Sequence, residues 1–267
     1  MRILKEIINV KPKSFVFFDL DGTLLNDKSK VEPEVIKALE KMQANGHIPF
    51  IATGRSPLEI QFVLDSTPIN SFIALNGQYI VYQGKEVYRS SIPRETLVRL
   101  KQATKERDFA LSFYTANKIR TTKQTTALNE AYAFIHAPVP LIDSSLHLRE
   151  EILMALILST NKAKDAYFKE HFPELSFYRN TPYSIDTIPR GNSKATGITE
   201  LMKKMALEGL PTYAFGDGSN DIEMLEHVDY SIAMGNGLPI LKEQASYTTS
   251  DNTKGGIIEG LSYFNLI

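Results

Sequence analysis

The sequence predicts an α/β protein, a parallel-sheet core interrupted by an inserted domain of α+β character. Short apolar runs that stop on an acidic or hydroxyl residue alternate with stretches of helical periodicity in the first third of the chain. The same rhythm returns in the last third, whereas the middle third reads as hairpins mixed with helices. At 267 residues and 43% apolar content, the chain can bury two modest cores without covalent staples.

Phe15-Val16-Phe17-Phe18 is continuously apolar and stops at Asp19, the pattern of a central strand covered on both faces. After a turn at Gly22, Pro33 opens a helix in which Val35, Ala38, Leu39 and Met42 recur at helical spacing, with Gly46 placed to end it. A strand over His47 to Ala52 leads into Thr53. Ser56-Pro57-Leu58-Glu59 then offers a capping side chain, a first-turn proline and a returning glutamate. Phe72 to Leu75 forms a third strand, followed by an Asn76-Gly77 turn signal.

In the middle third, Ile80 to Tyr82 opposes Glu86 to Tyr88 around Gly84. Leu97, Leu100 and Ala103 mark a helix, Phe109 to Tyr114 and Lys118 to Thr122 a strand pair, and Leu153 to Leu158 a buried strand. From Ser193 a helix carries Ile198, Leu201, Met202 and Met205 on one side. A strand over Thr212 to Phe215, a helix holding Ile222 and Leu225, and a strand over Tyr230 to Ala233 complete the pattern. The expected domains are a core of residues 14–82 and 189–267, an insertion of residues 83–188, and a short extension over residues 1–13.

Composition narrows the function. Thirty basic residues nearly cancel 31 acidic ones, so no summed field recommends nucleic acid or an anionic membrane as partner. Cysteine is absent, which removes disulfides, thiolate metal sites and cysteine nucleophiles together, so any metal must be held by oxygen or imidazole. The opening residues are broken by Lys5 and Glu6, far short of a spanning helix or signal core. The reading is a soluble, cytoplasmic protein acting on a compact ligand. Nothing in the sequence argues for a particular oligomeric state.

The chemistry concentrates in Asp19-Leu20-Asp21-Gly22-Thr23, Thr53-Gly54-Arg55, Lys194, and Gly216-Asp217-Gly218-Ser219-Asn220-Asp221. Each has an ordinary reading alone: a glycine turn, a helix-start threonine, a solvated first-turn lysine, a capped turn. Three of them follow predicted strands, however, and an open parallel sheet brings its carboxyl ends to one crevice. Together they meet the needs of phosphoryl transfer, which are positioning, charge neutralisation and an in-line nucleophile. Hard oxygen donors from Asp19, Asp217 and Asp221 suit Mg²⁺. Lys194 supplies a second positive charge, while the Thr53 hydroxyl and neighbouring backbone N–H groups, Gly54 among them, suit the phosphoryl oxygens.

These motifs, in this order and with a long insertion between the second and third, resemble the haloacid dehalogenase-like hydrolases, specifically the Cof-type branch of sugar-phosphatase-like proteins. The resemblance runs from about Ser14 to the end of the chain. It implies a Rossmann-like core and an inserted α/β cap that closes over the site. It further implies that Asp19 attacks phosphorus and becomes an aspartyl phosphate, while Asp21 protonates the leaving alkoxide and later activates water. By the same resemblance Mg²⁺ is held by Asp19, the Asp21 carbonyl and Asp217, with Asp221 as a further ligand or a water-holding neighbour, and Asn220 orients Lys194 or the phosphate. Asn192 and Ser219 depart from the family pattern without removing a required group. Arg55 and Asn76 read equally well as site supports or as turn residues. Tyr114, Arg120, His136 and Tyr183 are candidates for substrate contact from the cap by residue type, with ordinary packing the favoured reading for each.

The expected activity is Mg²⁺-dependent hydrolysis of a small phosphorylated metabolite, a sugar phosphate or similar phosphomonoester. A phosphomutase or phosphotransferase would share the intermediate. A phospho-accepting regulatory module shares the strand-end aspartate, but it has no use for an acid two residues beyond the nucleophile or for a large insertion. A retired enzyme that only binds phosphorylated ligands is disfavoured by a chain that keeps every acid, Thr53 and Lys194.

Overall fold

The computed structural model describes residues 12–179 and 181–267. Contacts divide the described residues into two compact units, one of residues 12–53, 60–88 and 193–267, the other of residues 54–59, 89–179 and 181–192. Of the expected N-terminal extension, residues 1–11 lie outside the described residues. Pro12 is buried and the Lys13 N–H donates to the Gly46 carbonyl at 2.9 Å.

The first unit is built on an eight-stranded sheet. Its strands are β1 (Ser14–Phe18), β2 (His47–Ala52), β3 (Phe72–Ala74), β4 (Tyr79–Tyr82), β5 (Lys85–Arg89), β11 (Thr212–Gly216), β12 (Tyr230–Ala233) and β13 (Tyr247–Thr248), in the order β13-β12-β11-β1-β2-β3-β4-β5. The strands from β13 to β3 run parallel, and β4 turns back antiparallel on β3. Every residue of β1 is buried, as its unbroken apolar run demands of a central strand.

Helices α1 (Pro33–Ala44), α6 (Lys194–Met205), α7 (Ile222–His227), α8 (Pro239–Gln244) and α9 (Gly256–Tyr263) belong to this unit. Phe15, Phe17, Phe50, Ile73 and Tyr82 from the strands pack with Ile198, Leu201, Met224 and Leu225 from the helices. Each fully buried side chain of this size contributes about 1.5–3 kcal/mol. Helix α2 (Pro57–Ser66) begins where expected, with Glu59 Oε2 accepting from the Ser56 N–H and Oγ at 2.8 and 2.7 Å.

The second unit holds a five-stranded antiparallel sheet. Its strands are β6 (Ala110–Tyr114), β7 (Ile119–Thr121), β8 (Met154–Leu158), β9 (Leu175–Tyr178) and β10 (Ser184–Pro189), in the order β7-β6-β8-β10-β9. Helices α3 (Arg94–Glu106), α4 (Thr126–Phe134) and α5 (Asp165–His171) accompany it. Leu97, Leu100, Leu111, Phe113, Ile157, Phe168 and Ile185 form its core. The sequence places the domain limits at 82/83 and 188/189, whereas the contacts divide the chain at 88/89 and 192/193. The reason at the first limit is that β5 neighbours β4 in the eight-stranded sheet, so the hairpin around Gly84 is not divided. Among the described residues no helix is long and apolar enough to cross a membrane.

Candidate active site

The first unit gathers its chemically active side chains at the carboxyl ends of β1, β2 and β11, where an open parallel sheet leaves a crevice. Asp19 follows β1, and its N–H continues the ladder by donating to the Phe215 carbonyl at 3.0 Å. The chain then folds tightly: Leu25 N–H returns to the Leu20 carbonyl at 2.9 Å and Leu24 N–H to that of Asp19 at 3.2 Å. Gly22 makes this turn possible. Its φ is +83°, and a Cβ there would lie 2.4 Å from Asp217 Oδ2, so a side chain is excluded by both conformation and space. Thr23 Oγ1 donates to Asp217 Oδ1 at 2.7 Å, joining the first and fourth motifs. Asp21, on the same turn, is exposed.

Lys194 is not the surface group that a first-turn lysine usually is. Ser193 caps α6, with Thr196 returning the bond to complete a capping box, and this fixes the direction in which Lys194 leaves the helix. Its side chain is fully buried, and its Nζ donates to Asp19 Oδ1 and, at 2.7 Å, to Asp221 Oδ1. Burial alone would lower its pKa, but Asp19 and Asp221 outweigh that and hold the ammonium charged. Asp221, 0% exposed, also accepts the N–H groups of Asp217 and Gly218 on Oδ2 at 3.0 and 2.9 Å. Both of its oxygens are thus engaged.

Three carboxylates surround this one cation. Asp19, Asp217 and Asp221 each present an oxygen within 4.8 Å of the others. Burial, then Asp221, pushes the Asp19 carboxyl well above its ordinary range in spite of Lys194. Burial likewise raises Asp217 to about 6, against the bond from Thr23. Burial is the first cause of both shifts and neighbouring carboxylates add to it, and a hard divalent cation is the partner that such an oxygen set accepts. The residues therefore fit Mg²⁺. Asp19 and Asp217 suit it best, since Asp221 already serves three donors.

Thr53 follows β2 and is buried, its N–H bonded to the Ile73 carbonyl at 2.9 Å and its carbonyl accepting from Asn76 N–H at 3.0 Å. Asn76, buried and at φ +53°, is thereby a backbone support for Thr53. Gly54 and Arg55 begin the segment grouped with the second unit. Asn220 stands in the 3₁₀ turn Ser219–Asp221, and the adjacent Asp221 accepts from Lys194 Nζ at 2.7 Å. In the second unit, Tyr114 is buried and shares a 2.7 Å bond with the Tyr132 hydroxyl, while Tyr183 packs near the Phe134 ring. Arg120 donates to the Ile119 carbonyl at 2.7 Å, and His136 is exposed at φ +55°.

Asn236 lies outside all four motifs. Its Nδ2 donates to the Gly22 carbonyl at 2.7 Å, and its Oδ1 accepts from the Asn252 N–H at 2.9 Å. In sequence, Gly235-Asn236-Gly237 reads only as a turn.

The model of the family described as haloacid dehalogenase-like hydrolase matches residues 16–261. The chain is 31% identical over 253 residues to the Bacillus subtilis protein YkrA, covering 94% of this chain and 98% of that one. A solved structure of a Geobacillus kaustophilus protein superposes with a TM-score of 0.88 at 33% identity, over 96% of this chain and all of the other. The subclass IIB sugar phosphatase BT4131 superposes with a TM-score of 0.84 at 26% identity, over 95% of this chain and all of that one. The chain therefore belongs to the haloacid dehalogenase-like hydrolases, a family in which YkrA and BT4131 are named as phosphatases.

Proposed function

We propose that the protein is a Mg²⁺-dependent phosphatase that hydrolyses a small phosphorylated metabolite, of the sugar-phosphate kind, through an aspartyl phosphate on Asp19. One observation carries this reading: a fully buried lysine lies between two carboxylates, with a third beside them. Such a cluster is costly to bury, and its surplus of oxygen donors is what a phosphoryl group and its counter-cation require. The likeness to a sugar phosphatase supports the substrate class.

Asp19, Asp217 and the Asp21 carbonyl would hold the ion, with Asp221 beside them. Bound there, it would neutralise charge on the nucleophile and the substrate. An Asp19 oxygen attacks phosphorus, the ester P–O bond breaks, and the electron pair leaves on the alkoxide, which takes its proton from Asp21. Asp21 then takes a proton from water as that water attacks phosphorus. The bond from Asp19 to phosphorus breaks, and inorganic phosphate departs. Exposure of Asp21 suits a group that must meet a leaving group in one half and water in the other. Lys194 and the Thr53 hydroxyl donate to phosphoryl oxygens as charge develops. Asp221 keeps Lys194 aimed.

A phosphate-release panel over phosphorylated sugars and cofactors, with Mg²⁺, tests the reading. Turnover is expected in the wild type and background release after chelation or in Asp19→Asn. If Asp19→Asn retained a tenth of wild-type turnover, about 1.4 kcal/mol in barrier, Asp19 would not be the nucleophile.

A further inference from the structure

We propose that Asn236 is a positioning residue for the phosphoryl transfer, holding the Asp19–Leu25 loop, and with it Asp21, against the loop that carries Asp217. The inference deepens the functional reading above and rests on it. The segment after β12 is pinned on both sides of Asn236. Met234 N–H donates to the Gly216 carbonyl at 3.0 Å, Gly235 N–H to that of Ser250 at 3.1 Å, and Leu238 N–H to that of Asp217 at 3.0 Å. Asn236 thus projects from a fixed base. From there its Nδ2 reaches the carbonyl of Gly22, the residue next to Asp21, at 2.7 Å.

A second asparagine repeats the device. Asn252 donates its N–H to Asn236 Oδ1 at 2.9 Å, fixing the amide orientation, and its own Nδ2 donates to the Leu25 carbonyl at 2.8 Å. Two carbonyls of the Asp19–Leu25 loop are therefore gripped by side chains more than 200 residues away in sequence. At Gly22 the backbone has little preference of its own, and the following peptide is held at its N–H by the Leu20 carbonyl at 3.3 Å and at its carbonyl by Asn236. Asn236 is exposed, and a solvent-exposed bond adds little to folding because water replaces it readily. Its physical consequence is the aim of Asp21, where small misplacement of a proton donor slows proton transfer.

The variant Asn236→Asp isolates this role. It keeps the acceptor for Asn252 N–H but turns a carboxylate oxygen toward the Gly22 carbonyl. The readout is kcat/KM for two substrates, the alkyl phosphate turned over fastest in the panel and p-nitrophenyl phosphate, whose phenolate departs without a proton. Asn236→Asp is expected to lower kcat/KM for the alkyl phosphate by about tenfold to a hundredfold and for the aryl phosphate much less. Asp21→Asn should show the same split more strongly. The ratio of the two constants is independent of the folded fraction, and Asn236→Ser reads the same ratio should the aspartate variant fold poorly. Equal losses on both substrates, or none, beside a clear split in Asp21→Asn would overturn the positioning role and leave the phosphatase reading intact. Absence of a split in Asp21→Asn would instead overturn the assignment of Asp21 and this proposal with it.

Discussion

A buried ammonium such as that of Lys194 is stable only with carboxylates in hydrogen-bonding contact, and Asp19 and Asp221 meet that need. Lys194→Met should lower turnover by about 10²–10³-fold, because a preorganised cation is lost where charge develops. Without a divalent cation it should also lower unfolding free energy by about 3 kcal/mol, since buried carboxylates lose their partner. Phosphate release and urea denaturation check the two effects. The convergence of Asp19, Lys194 and the fourth-motif acids is legible in the sequence, because their residue types, and for the acids their places after strands, already suit phosphoryl transfer. The division of labour among those acids is not. That Asp221 orients Lys194 while Asp217 accepts from Thr23 follows from side-chain directions that spacing does not encode.

Helix α6 matters most to the site because its first residue is Lys194. Ser193 Oγ accepts from Thr196 N–H while Thr196 Oγ1 accepts from Ser193 N–H, so the helix start is fixed from both directions. Ser193→Ala should cost about 1 kcal/mol in denaturant unfolding. An unchanged midpoint would show that packing of Ile198, Leu201 and Met202 alone sets the helix start. Strands with unbroken apolar runs, β1 above all, are legible, as are helices α1, α2 and α6, announced by Pro33, Ser56-Pro57 and Ser193. Helix α9 is not, because Gly256 and Gly260 weaken its helical signal. Packing explains Gly260, where a Cβ would lie 2.5 Å from the Phe215 ring. Strands β9 and β10 give little signal because Ser176, Ser184 and Thr187 interrupt their apolar pattern, which is set by neighbours in a sheet and not by local sequence.

Each of the two units has its own core, and that of the second contains a histidine that makes stability depend on pH. His147 is 3% exposed, its ring stacks on Phe113 at a centroid distance of 4.9 Å, and its Nδ1 has no hydrogen-bond partner among the described residues. Burial, followed by Lys101 and Arg94, holds its pKa below the ordinary 6.5, with Asp143 opposing. The unfolded chain therefore takes up this proton before the folded chain does. The contribution of His147 is intact above pH 6.5 and is lost as pH falls from there toward the lower folded value, by up to about 1.4 kcal/mol per pH unit. His147→Phe should flatten that part of the curve in thermal unfolding between neutral and mildly acidic pH. A slope equal to that of the wild type would assign the acid sensitivity to other groups. The two-unit organisation is legible from the change of texture near Tyr79 and its reversal near Ser193. The position of the first limit is not, since the β4–β5 hairpin looks the same in sequence whichever sheet it joins.

Above all, the mechanism requires that Asp19 carry the phosphoryl group between substrate and water. Acid quenching during turnover, followed by peptide mass spectrometry, detects that intermediate. A phosphoryl adduct is expected on the peptide containing Asp19 in the wild type and none in Asp19→Asn. An adduct on another residue, or steady turnover by Asp19→Asn, would mean that the phosphoryl group travels by another route.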